Sequence, residues 1–65
     1  MMYTVHECDL TLQDGAMSPV NMSKRHVFES DNLGTAIGFA SDQAAQTKKH
    51  FVVYQKRHRY YRDWY

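Results

Sequence analysis

Disulfides and zinc are the first things this sequence rules against. Its only cysteine is Cys8, so no intramolecular disulfide can form, and the four-Cys or Cys/His spacing of a zinc module is missing. One proline and three glycines in 65 residues leave no room for a Pro- or Gly-rich linker, and no repeat or low-complexity tract is present. No apolar run approaches the roughly 20 residues that a membrane helix requires. The first residues do not place an apolar block behind a basic one, so no secretory leader is expected. With one unpaired thiol, a reducing, cytoplasmic setting fits best.

Length sets a further bound. A chain of 65 residues makes a single domain, 1–65. Such a domain buries only about 60% of its unfolded surface, and small scaffolds commonly need a staple or a partner subunit. With no staple visible, oligomerisation, for instance as a homodimer, is a reasonable expectation.

Net charge is near neutral but unevenly placed. Residues 1 to 47 set Glu7, Asp9, Asp14, Glu29, Asp31 and Asp42 against Lys24 and Arg25, giving −4. Residues 48 to 65 set Lys48, Lys49, Lys56, Arg57, Arg59 and Arg62 against Asp63, giving +5. A split of this kind implies a polarised surface and a charged partner.

The hydrophobic pattern predicts a small α+β domain. Residues 2 to 13 read as a strand, with Tyr3 and Val5 on one parity and Cys8, Leu10 and Leu12 on the other. The change of parity near His6 and Glu7 suggests a bulge or twist. Asp14-Gly15 opens a turn, and Ser18-Pro19 and Asn21 extend the loop to about residue 21. Met22 to Glu29 read as a second strand.

Ser30, Asp31 and Asn32 are three successive N-cap candidates. Behind them Leu33, Ala36, Ile37, Ala40 and Ala44 fall at helical spacing, predicting a helix over about 31 to 47. Phe39 lies off that stripe and is expected under a loop or in an interface. Phe51 to Tyr54 suit a pleated, half-buried surface and predict a strand over 50 to 56. Residues 57 to 65 fit a continued strand, a hairpin turning at Lys56 to Arg59, or a helix. The hairpin lacks the Gly, Asn or Asp that such loops favour. The expected architecture is an antiparallel sheet of three or four strands with one helix packed on one face, in the order β-β-α-β or β-β-α-β-β.

No catalytic set stands out, and the chain is expected not to be an enzyme. Gly34 to Gly38 resembles a phosphate loop but lacks the Gly-Lys-Ser/Thr ending and falls within the helix pattern. His6 and Cys8 would share one strand face, and His26, His50 or His58 could join them, yet nothing in the spacing demands a metal site. The simpler reading is a buried Cys with exposed His residues. A Cys8 thiolate with a histidine base lacks a third, orienting residue. No cofactor is expected.

The distinctive chemistry lies near the C-terminus. Lys48, Lys49, Lys56, Arg57, Arg59 and Arg62 accompany Tyr60, Tyr61 and Trp64 as candidate binding residues. Cations neutralise phosphates or acidic side chains, and aromatic rings stack on bases or anchor protein interfaces. The competing reading is a solvated edge strand whose Lys and Arg stems cover apolar surface. Trp64 and Tyr65 either close the core or anchor a partner.

One helix within Ser30 to Lys49, flanking strands, a basic strand over His50 to Arg59 and the lack of a catalytic set resemble small phage-encoded inhibitors, anti-CRISPR proteins among them. The likeness is one of format and spans the whole chain, without a motif that would carry over a functional residue. It implies a stand-alone protein that blocks a nucleic-acid-processing machine by occupying a binding surface. Its partner would then be a protein with an acidic or nucleic-acid-binding surface. The alternative is direct nucleic-acid binding through the basic aromatic strand.

Overall fold

The computed structural model describes residues 2–65. Among these residues the chain forms five strands and one helix: β1 (Tyr3–Gln13), β2 (Ala16–Val20), β3 (Phe28–Ser30), α1 (Leu33–Thr47), β4 (His50–Gln55) and β5 (Tyr60–Trp64). All pairings are antiparallel, in the order β2-β1-β4-β5, with β3 also against β1. The fold is therefore α+β, one curled antiparallel sheet with a single helix on one face, as expected.

The long strand β1 is the hub. One edge takes β3 at Tyr3 to Val5 and β2 from Asp9 to Gln13, and the other edge takes β4 at Tyr3 to Cys8. Between β2 and β3 the chain runs alongside β1 without forming a strand. There Ser23 N–H donates to the Glu7 carbonyl (2.9 Å) and Val27 N–H to the Val5 carbonyl (2.8 Å).

The core lies between α1 and one face of the sheet. Val5, Ala36, Ala40, Phe51 and Val53 are buried there, with Tyr3, Phe28, Leu33, Ile37, Phe39, Ala44 and Tyr65 packed around them. Small side chains at Ala36 and Ala40 let the helix approach the strands closely. Phe39 stacks on Phe28 with ring centroids 4.3 Å apart, so the residue off the stripe extends the core. Asn32 caps the helix by accepting from Thr35 N–H, and Lys48 ends it in the left-handed conformation (φ 61°).

Several sequence expectations need correcting. The turn at Asp14-Gly15 is tight. Both residues have positive φ, as a two-residue type I′ hairpin requires, and Gln13 pairs directly with Ala16. Residues expected in a loop, Ser18 and Pro19 among them, therefore belong to strand β2. Proline is tolerated because β2 is an edge strand. The strand expected over Met22 to Glu29 shrinks to Phe28–Ser30, and because the expected loop supplies β2 the sheet has one strand more than expected. No bulge breaks β1 against β4. The parity change has another cause: over its first half, β1 buries both faces, with Val5 toward the helix and Thr4, His6 and Cys8 on the other side.

Candidate functional site: the basic β4–β5 hairpin

The C-terminal stretch folds as a hairpin. Gln55 pairs with Tyr60, Tyr54 with Tyr61 and Val52 with Trp64, with an irregularity between the last two pairs. Lys56 to Arg59 form the turn, closed by the Arg59 N–H donating to the Gln55 carbonyl (2.9 Å). The left-handed position that glycine would favour is held by Arg59 itself, at φ 54°. The turn is anchored to the sheet where Lys56 N–H donates to the Met2 carbonyl (3.1 Å).

This geometry divides the candidate residues into two groups. Lys56, Arg57 and Arg59 are exposed together at the hairpin tip, where a continued strand would have spread them along two faces. Tyr60 and Tyr61, 45% and 50% exposed, stand directly behind them. Arg62 is engaged within the hairpin, donating through Nη1 to Gln55 Oε1 (2.9 Å) and Tyr60 Oη (3.2 Å). Lys48 and Lys49 precede the opposite end of β4, roughly 20 Å from the tip at about 3.3 Å per residue, and Trp64 pairs with Val52 between the two. There the Lys49 ammonium lies 3.7 Å from a Glu7 carboxylate oxygen, and the Trp64 ring meets His50 edge-on.

The two terminal aromatics have separate roles. Tyr65 closes the core on the helix side, exchanging backbone hydrogen bonds with Phe51 (2.7 and 3.0 Å). Its phenol pKa is raised, mainly by burial and further by Asp63, with Arg62 opposing. Trp64 points to the other face and stays 38% exposed.

That other face carries a row of rings not foreseen as a unit. His26, His6, Tyr54 and Tyr61 follow one another, with centroids 6.1, 6.1 and 5.2 Å apart. The available signal was alternation: His6 and Tyr54 share a face once β1 and β4 are set in register. His6 is 9% exposed and has both ring nitrogens engaged. The Ser23 carbonyl can only accept, so Nδ1 carries the proton it shares at 2.9 Å. In the neutral ring Nε2 then accepts from the Thr4 hydroxyl, also at 2.9 Å. His6 thus pins the segment ahead of β3 to the sheet.

Cys8 is buried beside it on the same face. Burial raises the thiol pKa, and Asp9 and Glu7 raise it further, which disfavours the nucleophilic thiolate. Among the described residues no cluster of three or more His, Cys, Asp or Glu side chains is placed to hold a metal ion. No helix among them is long and apolar enough to cross a membrane.

Comparison of the chain with protein-family models, curated proteins and solved structures finds no match.

Proposed function

We propose that this chain is a small non-catalytic binding protein that inhibits or modulates a larger, nucleic-acid-processing protein complex by occupying one of its surfaces. The observation that carries this reading is the hairpin tip. Lys56, Arg57 and Arg59 are brought together in a turn and backed by exposed Tyr60 and Tyr61. Arginine and large aromatics dominate protein interfaces because they combine contact area with strong hydrogen bonds. Clustered cations also steer the domain toward an acidic surface and raise the encounter rate.

A second reading, direct binding of single-stranded nucleic acid, draws on the ring row that runs through Tyr54 and Tyr61 toward the same tip. Stacking on such rings contributes about 1–3 kcal/mol per base.

Capture from host extract with and without nuclease, repeated over a salt series, separates the two. A protein partner is expected to stay bound after nuclease treatment and to weaken only modestly as salt rises. The double substitution Arg57→Glu/Arg59→Glu is expected to weaken capture at least ten-fold while leaving the melting temperature nearly unchanged, because exposed charges contribute little to stability. Capture that vanishes with nuclease and falls steeply with salt would replace the first reading by the second. Undiminished capture by the double variant would move the site away from the tip.

A further inference from the structure

Arg62 differs from the other cations of the β4–β5 hairpin in being turned inward. Gln55 stands directly opposite Tyr60, so the two share the helix side of the sheet. Arg62 reaches both on that side: one guanidinium nitrogen, Nη1, donates to Gln55 Oε1 (2.9 Å) and to Tyr60 Oη (3.2 Å). Gln55 is only 4% exposed, so this acceptor is itself fixed. Arg62 thereby ties β5 to β4 immediately below the turn that carries Lys56, Arg57 and Arg59.

The turn has little packing to hold it. Every residue of β5 is exposed, and the pairing with β4 is irregular between Val52–Trp64 and Tyr54–Tyr61. Arg59 adopts a left-handed φ of 54° without being glycine. Lys56, Arg57 and Arg59 crowd one turn, and among the described residues none of them is in an ion pair. Like charges held this close favour an open turn. Two backbone hydrogen bonds oppose the opening, from Arg59 to Gln55 and from Lys56 to Met2, and Arg62 adds a side-chain brace.

We infer that Arg62 is a positioning residue: it does not touch the partner but holds the hairpin tip in the shape that binds. This rests on the reading of the tip as the binding surface. A partner then meets Lys56, Arg57 and Arg59 already ordered, and binding does not have to supply that order. Tyr60 is held by the same nitrogen. Its hydroxyl accepts from Arg62 and keeps its own proton to donate to an acceptor on the partner.

The brace is tested on the purified chain by nitrogen-15 relaxation of the backbone amides of residues 56 to 60, compared with those of Phe51 to Tyr54. In the wild type the tip should be nearly as ordered as β4. Arg62→Met removes the donor and keeps most of the stem. It should loosen residues 56 to 60 while leaving β4, the helix and the melting temperature little changed. Both bonds come from one nitrogen, so Arg62→Lys, whose ammonium has three donors, should restore most of the order. Tyr60→Phe removes one of the two acceptors at a half-exposed position and should loosen the tip in part, which keeps the test decisive if Arg62→Met does not fold. Binding is read in the nuclease-treated capture described above. A tip that spends about a tenth of its time in the binding shape binds about ten-fold more weakly. Arg62→Met should show a loss of that order and Arg62→Lys should recover most of it, whereas Arg57→Glu/Arg59→Glu should lose capture with the tip still ordered. A tip that stays ordered in Arg62→Met and Tyr60→Phe overturns the inference, as does a loosened tip with undiminished capture. Capture lost in Arg62→Lys with the tip ordered overturns it too, because Arg62 would then touch the partner. Undiminished capture by Arg57→Glu/Arg59→Glu removes the binding surface and Arg62's part in it, whereas the relaxation data show by themselves whether Arg62 holds the turn.

Discussion

Val52 and Val53 provide a direct test of how the two faces of the sheet are packed. Both are fully buried, and they point in opposite directions from adjacent positions of β4. Val53 lies in the core under α1. Val52 has no helix over it. Its cover comes from larger neighbours on the strands either side, His6 on β1 and Trp64 on β5. Truncating either valine to alanine removes the equivalent of two methylene groups, about 1.6 kcal/mol of transfer free energy. The cavity left behind raises the cost to roughly 2–3 kcal/mol. A domain of this size has on the order of 3–10 kcal/mol of total stability. Each substitution should therefore lower the melting temperature by about 8–24 °C, at about 4–8 °C per kcal/mol. Urea and thermal unfolding followed by circular dichroism, at low micromolar concentration, would measure both. If Val52→Ala stays within about 0.5 kcal/mol of wild type, as an exposed position would, while Val53→Ala shows the full loss, then the helix-free face is not a packed layer.

Other outcomes follow from single residues. Lys48 ends the helix at φ 61°, so Lys48→Gly should relieve left-handed strain and raise stability by about 0.5–1 kcal/mol in the same assay. Asn32→Ala removes the side chain that caps Thr35 N–H and should cost about 1 kcal/mol. The Cys8 thiol and the Tyr65 phenol both have raised pKa values, so the folded chain holds these protons more tightly than the unfolded chain. Stability from this source is intact below their ordinary ranges and is lost as pH rises through the raised values. A pH series of unfolding should show that alkaline decline. Removing the thiol with Cys8→Ala should shrink it.

Local signals explain which parts of the fold were legible in sequence. The helix was marked by its stripe and by Asn32, and β4 by consecutive stiff side chains. Short-range chemistry decides both. The hairpin at Lys56 to Arg59 was an open alternative because its turn has no glycine. Arg59 takes the left-handed position, at a cost offset by the pairing of β5 with β4. Phe28–Ser30 could not be delimited because its pairing with β1 is non-local and the residues before it bond to β1 without strand geometry. Of the candidate site, the composition marked the residues but not their division. Lys48 and Lys49 part from Lys56, Arg57 and Arg59 because β4 separates them. The ring row through His6 and Tyr54 exists only once β1 and β4 are in register.

The place of β1 also constrains how the chain acquires its structure. The strand made first pairs with β4, made nearly last, and Tyr3 lies opposite Gln55. The two hairpins can close locally within microseconds, but each is a ribbon without a core. The decisive step joins segments some fifty residues apart and carries most of the loop-closure entropy. An emerging chain therefore cannot settle its core until β4 has been made. Until then the edge of β1 that β4 will cover, Tyr3 to Cys8, stays open to whatever protease or chaperone is nearby.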